Sequence, residues 1–173
     1  MKPLFEEKQR YSQWWLWAII GSSALLVMGI FLHALYVQLI LGTQWGETPM
    51  SNEALIAFSL FNISAMVLML VVFFNAVLEI TVDRGGISYK YFPIIRTPRR
   101  IEREHIQAYE VKKYFLKGYG IRRDFRGNRT INVKGHMGVE ITTHDGKRLL
   151  LGTQKPEEFF QALHAMKKGI AHQ

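Results

Sequence analysis

Residues 15–41 read WLWAIIGSSALLVMGIFLHALYVQLIL, and residues 54–78 read ALIAFSLFNISAMVLMLVVFFNAVL. Neither stretch holds an Asp, Glu, Lys or Arg, and no charge occurs from Tyr11 to Gly46. A bilayer core of about 30 Å needs about 20 apolar residues in a helix. Both runs exceed that and can cross with tilt. A cleavable signal has an apolar region of only ~7–15 residues, so the first run reads as a span. A soluble protein would have to bury two long helices that are apolar nearly all round. The sequence therefore predicts a transmembrane hairpin over 14–78, with helices near 15–41 and 54–78.

The flanks orient it. The connecting segment 42–53 carries Glu47 and Glu53 and no Lys or Arg. The arm 1–13 holds Lys2, Lys8 and Arg10, and 19 basic residues follow Leu78. Positive flanks stay inside, so both termini are expected in the cytoplasm and the loop outside. Trp14, Trp15 and Trp17 suit the inner interface and Trp45 the outer one. Thr48-Pro49 looks like an N-cap and a first-turn proline.

Polar residues within the spans can be ranked by depth. With midpoints near Met28 and Met66, a rise of about 1.5 Å per residue puts His33 ~7 Å and Asn62 ~6 Å toward the outside. Gly21, Leu25, Gly29 and His33 follow i, i+4 spacing, a small-residue face on which a helix could pack closely. The expectation is a His33–Asn62 hydrogen bond, within the hairpin or across a dimer. The alternative is a backbone carbonyl or interfacial water for each.

The chain has 173 residues, 22 Lys+Arg against 14 Asp+Glu, a net charge of +8 and no cysteine. Thiol catalysis, iron–sulfur clusters, disulfides and Cys-type zinc sites are excluded. Residues 79–173 carry 19 basic and 10 acidic side chains. They are read as a separate cytoplasmic domain. Leu78 to Val82 alternate, Asp83-Arg84-Gly85-Gly86 supplies a turn, and Ile87, Tyr89 and Tyr91 alternate again before Pro93. Short strands are expected at 100–102, 118–122 and 131–134, the last edge-like; 105–114 suits a strand or a helical turn. Val139 to Thr143, Asp145-Gly146 and Lys147 to Leu151 make the clearest hairpin. Pro156-Glu157-Glu158 opens a final helix with Phe159, Phe160, Leu163 and Met166 on its apolar stripe.

The stretches 79–83, 86–89, 118–122, 138–141 and 151–159 carry a resemblance. With six or seven antiparallel strands and a C-terminal helix, the chain resembles bacterial membrane proteins with a pleckstrin-homology-like (PH-like) domain behind two N-terminal transmembrane helices. That resemblance implies a membrane-anchored α+β protein: the hairpin, then an antiparallel β-barrel or sandwich closed by the helix. It also implies binding of lipid headgroups or proteins at the bacterial inner membrane, and hands over no catalytic residue.

The residues expected to bind are Lys112, Lys113, Lys117, Arg122, Arg123, Arg126, Arg129 and Lys134, interleaved with Tyr114, Phe115 and Tyr119. Near a bilayer each cation adds about 1 kcal/mol of attraction to anionic headgroups. The readings are headgroup recognition, nonspecific attraction or an acidic protein partner. No recognition helix or RNA-binding signature supports nucleic acid. Arg96, Arg99, Arg100 and Arg103 form a second group. The scattered histidines lack metal-ligand spacing, and no cofactor is expected. The reading is a non-enzymatic accessory or scaffold protein, associated with a membrane complex or with itself. The alternatives are a lipid-directed enzyme using Glu102, Glu104 or His105, and a small transporter or channel subunit.

Overall fold

The computed structural model describes residues 2–114, 118–125 and 127–169. The chain divides into two units: Met1–Tyr11 with Asn75–Gln173, and Ser12–Phe74.

The Ser12–Phe74 unit is helical. Helix α1 (Trp14–Leu35) runs into a π-helical turn at Tyr36–Ile40, and α2 spans Asn52–Asn75. Both are long and apolar enough to cross a membrane, by length and composition. Only 17% and 11% of their most apolar windows are buried, unlike the core helices of a soluble fold. They pack antiparallel. Trp17 meets Phe74 edge-on at 6.2 Å, and Phe31 meets Phe58 at 5.6 Å. Ala24 and Ser59 are buried between these pairs, and Ala34 and Leu55 beyond the second, toward the loop. Gln38 Nε2 donates to Met50 O and Asn52 Oδ1 and ties the loop shut.

Two expectations change here, both at the ends of α2. Helix α2 opens after Ser51, whose Oγ accepts from the Ala54 amide, and not at Thr48-Pro49. It also ends earlier, because Val77 and Leu78 already belong to a strand. The face of α1 that meets α2 is the one bearing Trp17, Ala24 and Phe31. Leu25, Gly29 and His33 lie about 100–180° around the helix from Ala24. Leu25 is 74% exposed, and a Cβ added at Gly21 or Gly29 would meet nothing within 4 Å. Asn62 Nδ2 donates to Phe58 O at 2.8 Å, one turn back, so within the hairpin it does not pair with His33. Ala34→Leu is expected to force the helices apart at a cost of ~1–3 kcal/mol, while Gly29→Ala leaves the hairpin unchanged. Unfolding in mixed micelles, followed by tryptophan fluorescence, checks both.

The other unit holds two sheets. In the first, β1 (Phe5–Arg10), β2 (Val77–Asp83), β3 (Gly86–Phe92) and β4 (Ile95–Glu102) pair antiparallel in sequence order. In the second, β5 (Ile106–Lys113), β6 (Gly120–Arg123), β7 (Arg129–Asn132), β8 (Met137–Thr143) and β9 (Arg148–Gly152) lie in the order β5-β8-β9-β7-β6. Helix α3 (Pro156–Lys168) buries Phe159, Ala162, Leu163 and Met166. The core alternates as strands require: Leu78, Ile80 and Val82 on β2, Ile87, Tyr89 and Tyr91 on β3, Val139 and Ile141 on β8.

The arm 1–13, set apart by the sequence reading, supplies β1. It pairs with β2 over six positions, from Phe5↔Val82 to Arg10↔Val77. Phe5 stacks on Phe159 of α3 at 5.0 Å. The carboxylate of Glu7 accepts from Thr153 Oγ1 and, at 2.9 Å, from the Gln154 amide; Gln9 Nε2 donates to Gly152 O at 2.7 Å. Two other expectations are corrected. Strand β7 is interior, between β9 and β6, and pairs with β9 in parallel. The described strands form two sheets and no closed barrel.

At the β2–β3 turn Asp83 accepts from the amides of Gly85 and Gly86, and Arg100 grips it with two N–H groups at 2.7 and 2.8 Å. The Arg100 bond is the main reason its carboxyl lies below the usual range. The unfolded carboxyl titrates higher, so this stability is present above pH ~4 and is lost as pH falls through the lowered value. Asp83→Asn should lower Tm by about 2–5 °C at neutral pH and flatten the acid limb. Thermal melts from pH 7 to 2 check this.

Candidate functional site

The second sheet presents one face away from the core. Its register sets Glu110, Glu140, Leu150, Thr130 and Arg122 in a row across all five strands. Over the same face lies Tyr114. A Cβ at Gly138 would sit 3.1 Å from its ring, and one at Gly152 would sit 2.7 Å from its hydroxyl. Gly138 and Gly152 are register partners, so this pair of glycines makes the bed for the ring. Burial pushes the Tyr114 phenol above its usual range.

A cleft of about 450 Å3 opens here, lined by Lys112, Lys113, Tyr114, Arg122 and Arg123 with Asp124 and Glu140. Its cations are not equivalent. Lys112 sits between Glu110 at 2.6 Å and Glu140 at 2.7 Å. Those carboxylates raise its pKa and also spend its charge locally. Arg122 Nη2 donates to Gly118 O at 2.5 Å, which holds the loop ahead of β6. Lys113 and Arg123 are exposed at this rim.

The structure thus divides the basic cluster. Lys112, Lys113, Arg122 and Arg123 share the first cleft. Arg123 also lines a second cleft, of about 640 Å3, with Arg129. Lys134 lies in neither; its carbonyl accepts from Gln154 Nε2 at 2.9 Å. Lys117, Arg126 and Phe115 lie outside the described residues.

The second arginine group is divided too. Arg100 locks the β2–β3 turn, and Arg103 Nη1 donates to Met166 O at 3.2 Å near the end of α3. Arg96 and Arg99 are exposed on β4. Of the three residues weighed for catalysis, Glu102 and His105 line the larger cleft and Glu104 does not. The Glu102 carboxylate is held by Arg100 Nε at 3.0 Å. His144, Lys147 and Arg148 also line this cleft, and sequence reasoning missed them as site residues. They surround a turn whose Asp145-Gly146 signature explained it without further function. Among the described residues no three of His, Cys, Asp and Glu come together to hold a metal ion.

No protein-family model, curated protein or solved structure matches this chain. The PH-like resemblance therefore rests on the sequence motifs and the order of elements alone.

Proposed function

We propose that this chain is a membrane-anchored, non-enzymatic binding protein. Its helices cross a bacterial inner membrane, and its PH-like β unit offers a cationic surface on the cytoplasmic side. There it serves as an accessory or scaffold, holding anionic headgroups or a membrane protein complex.

One observation carries the anchoring: β1 and β2 are hydrogen-bonded neighbours, and the whole helical hairpin is the connection between them. Paired antiparallel Cα atoms are about 4.5–5.5 Å apart. Arg10 and Val77, which flank the hairpin, are such a pair. Strands cannot pair across a bilayer, so α1 must start and α2 must end on one side. One crossing or three would violate this, and the length and apolar composition of the two helices favour two crossings over none. The charge bias of the flanks then selects the cytoplasm. A four-strand meander, a second sheet and a C-terminal helix support the PH-like assignment. The Arg100 hold on Glu102 supports binding over acid–base chemistry at the larger cleft.

The chain contains no native cysteine, so single cysteines report cleanly. In sealed inside-out vesicles, a membrane-impermeant maleimide is expected to label Lys8→Cys and His144→Cys but not Glu47→Cys. Labelling of Glu47→Cys alone would refute the cytoplasmic assignment.

A further inference from the structure

The larger cleft is bounded by the end of β4, by β6 and β7, and by the β8–β9 turn. Three of its cations already have carboxylate partners: Arg100 with Asp83 and Glu102, Lys147 with Asp145, and Arg148 with Glu140 at 3.9 Å. Arg123 and Arg129 are different. They are direct cross-strand partners on β6 and β7. Both line the cleft, and among the described residues neither has a carboxylate within ion-pair distance. Like charges directly opposite one another destabilise a strand pair. A sheet that only needed to fold would gain from a glutamate at either position. The apolar part of the lining is supplied by Tyr89, Ile101 and Leu149, of which Tyr89 and Leu149 are buried. His105 and His144 also line the cleft, joined by the His144 amide donating to His105 O at 3.0 Å.

We propose that this cleft is a binding site for a phosphate group, held between the Arg123 and Arg129 forks. Each guanidinium offers parallel N–H donors that match two phosphate oxygens. A terminal phosphate has three such oxygens and up to two charges, enough for both forks at once. A carboxylate has two oxygens and one charge, and satisfies only one fork. The size of the cleft argues for a small group. About 640 Å3 falls within the range of small-molecule pockets, roughly 300–1,000 Å3, whereas a protein partner needs a broad surface of about 800 Å2 on each side. The rest of the ligand lies on the Tyr89 and Leu149 wall. This assignment rests on reading the β unit as a binding module, and does not depend on which side of the membrane it occupies.

The test uses the full chain in phosphatidylcholine nanodiscs. In one arm inorganic pyrophosphate is added. In the other, phosphatidic acid replaces part of the phosphatidylcholine, with phosphatidylglycerol as the diester control. In at least one arm Tm should rise by about 5 °C or more at a hundredfold excess over Kd. Arg123→Gln/Arg129→Gln should abolish that rise and weaken binding at least about tenfold, while Lys168→Gln keeps it. A rise with pyrophosphate identifies a soluble phosphate compound. A rise with phosphatidic acid but not phosphatidylglycerol identifies a lipid headgroup. Without ligand, the double variant should melt at the same temperature or about 1–3 °C higher, because a like-charge contact is gone. No rise in either arm, a rise that survives the double substitution, or a ligand-free variant that melts lower would each overturn the assignment. The maleimide labelling above is independent of these outcomes, so either reading can fail alone.

Discussion

Residues 75–173 expressed alone should remain unfolded, and a peptide spanning residues 2–11 should restore the β-sheet signal when added. This fragment is almost the domain that composition would cut out, yet it lacks an edge strand and the contacts that strand brings. Phe5, 5% exposed, stacks on Phe159, which is fully buried in α3. Loss of a buried phenylalanine costs ~3–5 kcal/mol. Without Glu7 and Gln9, the Gln154 amide and the Gly152 carbonyl lose the side chains that satisfy them at the β9–α3 junction. Each such loss adds about 1–3 kcal/mol. Domains of this size are stable by only about 5–15 kcal/mol, so removing β1 consumes most or all of that. In the full chain, Phe5→Ala alone should lower stability by ~3–5 kcal/mol. Backbone amide spectra of the fragment, with and without peptide, decide the matter. A dispersed spectrum from residues 75–173 alone would refute it.

The second large effect is expected at Gly86. A Cβ there would lie 2.3 Å from the Ile101 carbonyl oxygen and 3.0 Å from Glu102 Cα, both backbone atoms of the paired strand. Neither can swing aside as a side chain could. Gly86→Ala must pry β3 from β4 where Gly86 faces Glu102, at a cost of about 3 kcal/mol or more. The neighbouring Gly85 gives the contrast. Its added Cβ would meet the Arg100 Nη2 atom at 2.5 Å, the far end of a flexible side chain. Gly85→Ala should therefore cost about 1 kcal/mol or less, mainly by loosening the hold on Asp83. Because Ile101 and Glu102 also wall the larger cleft, Gly86→Ala should weaken phosphate binding as well. Urea titrations of both variants, compared at the midpoint, test the ranking.

Much of the architecture was legible because it rests on local patterns. The two uncharged runs, the alternation on β2 and β3, the Asp145-Gly146 hairpin and the Pro156 helix each carry their own period or turn chemistry. Strand β1 escaped for a physical reason. Its inward positions are Phe5, Glu7 and Gln9, and the last two are polar because they bond to distant backbone and a threonine hydroxyl. No local period reveals such a strand. Small residues at i, i+4 mark where a partner helix can approach; within the hairpin, Trp17, Phe31 and their aromatic partners set the face that meets α2. The basic cluster was visible as composition. Its division between two clefts was not, because that follows from β6 and β7 folding over beyond β9, a parallel pairing that no turn signal announces. Likewise His144 and Arg148 reach the same cleft as Arg100 only through the approach of the two sheets.

The most direct test of the central claim is a disulfide across β1 and β2 in the full chain embedded in a bilayer. Lys8 and Glu79 are register partners, with an ion pair of 3.4 Å between their side chains. Lys8→Cys/Glu79→Cys should oxidise almost completely to an intramolecular bond, since paired strands bring Cα atoms into the range of about 4.4–6.8 Å that a disulfide needs. Lys8→Cys/Lys168→Cys, on elements that do not pair, should stay reduced. If Lys8→Cys/Glu79→Cys also stays reduced in the folded, membrane-inserted chain, β1 does not complete the β unit, and the same-side argument falls with it.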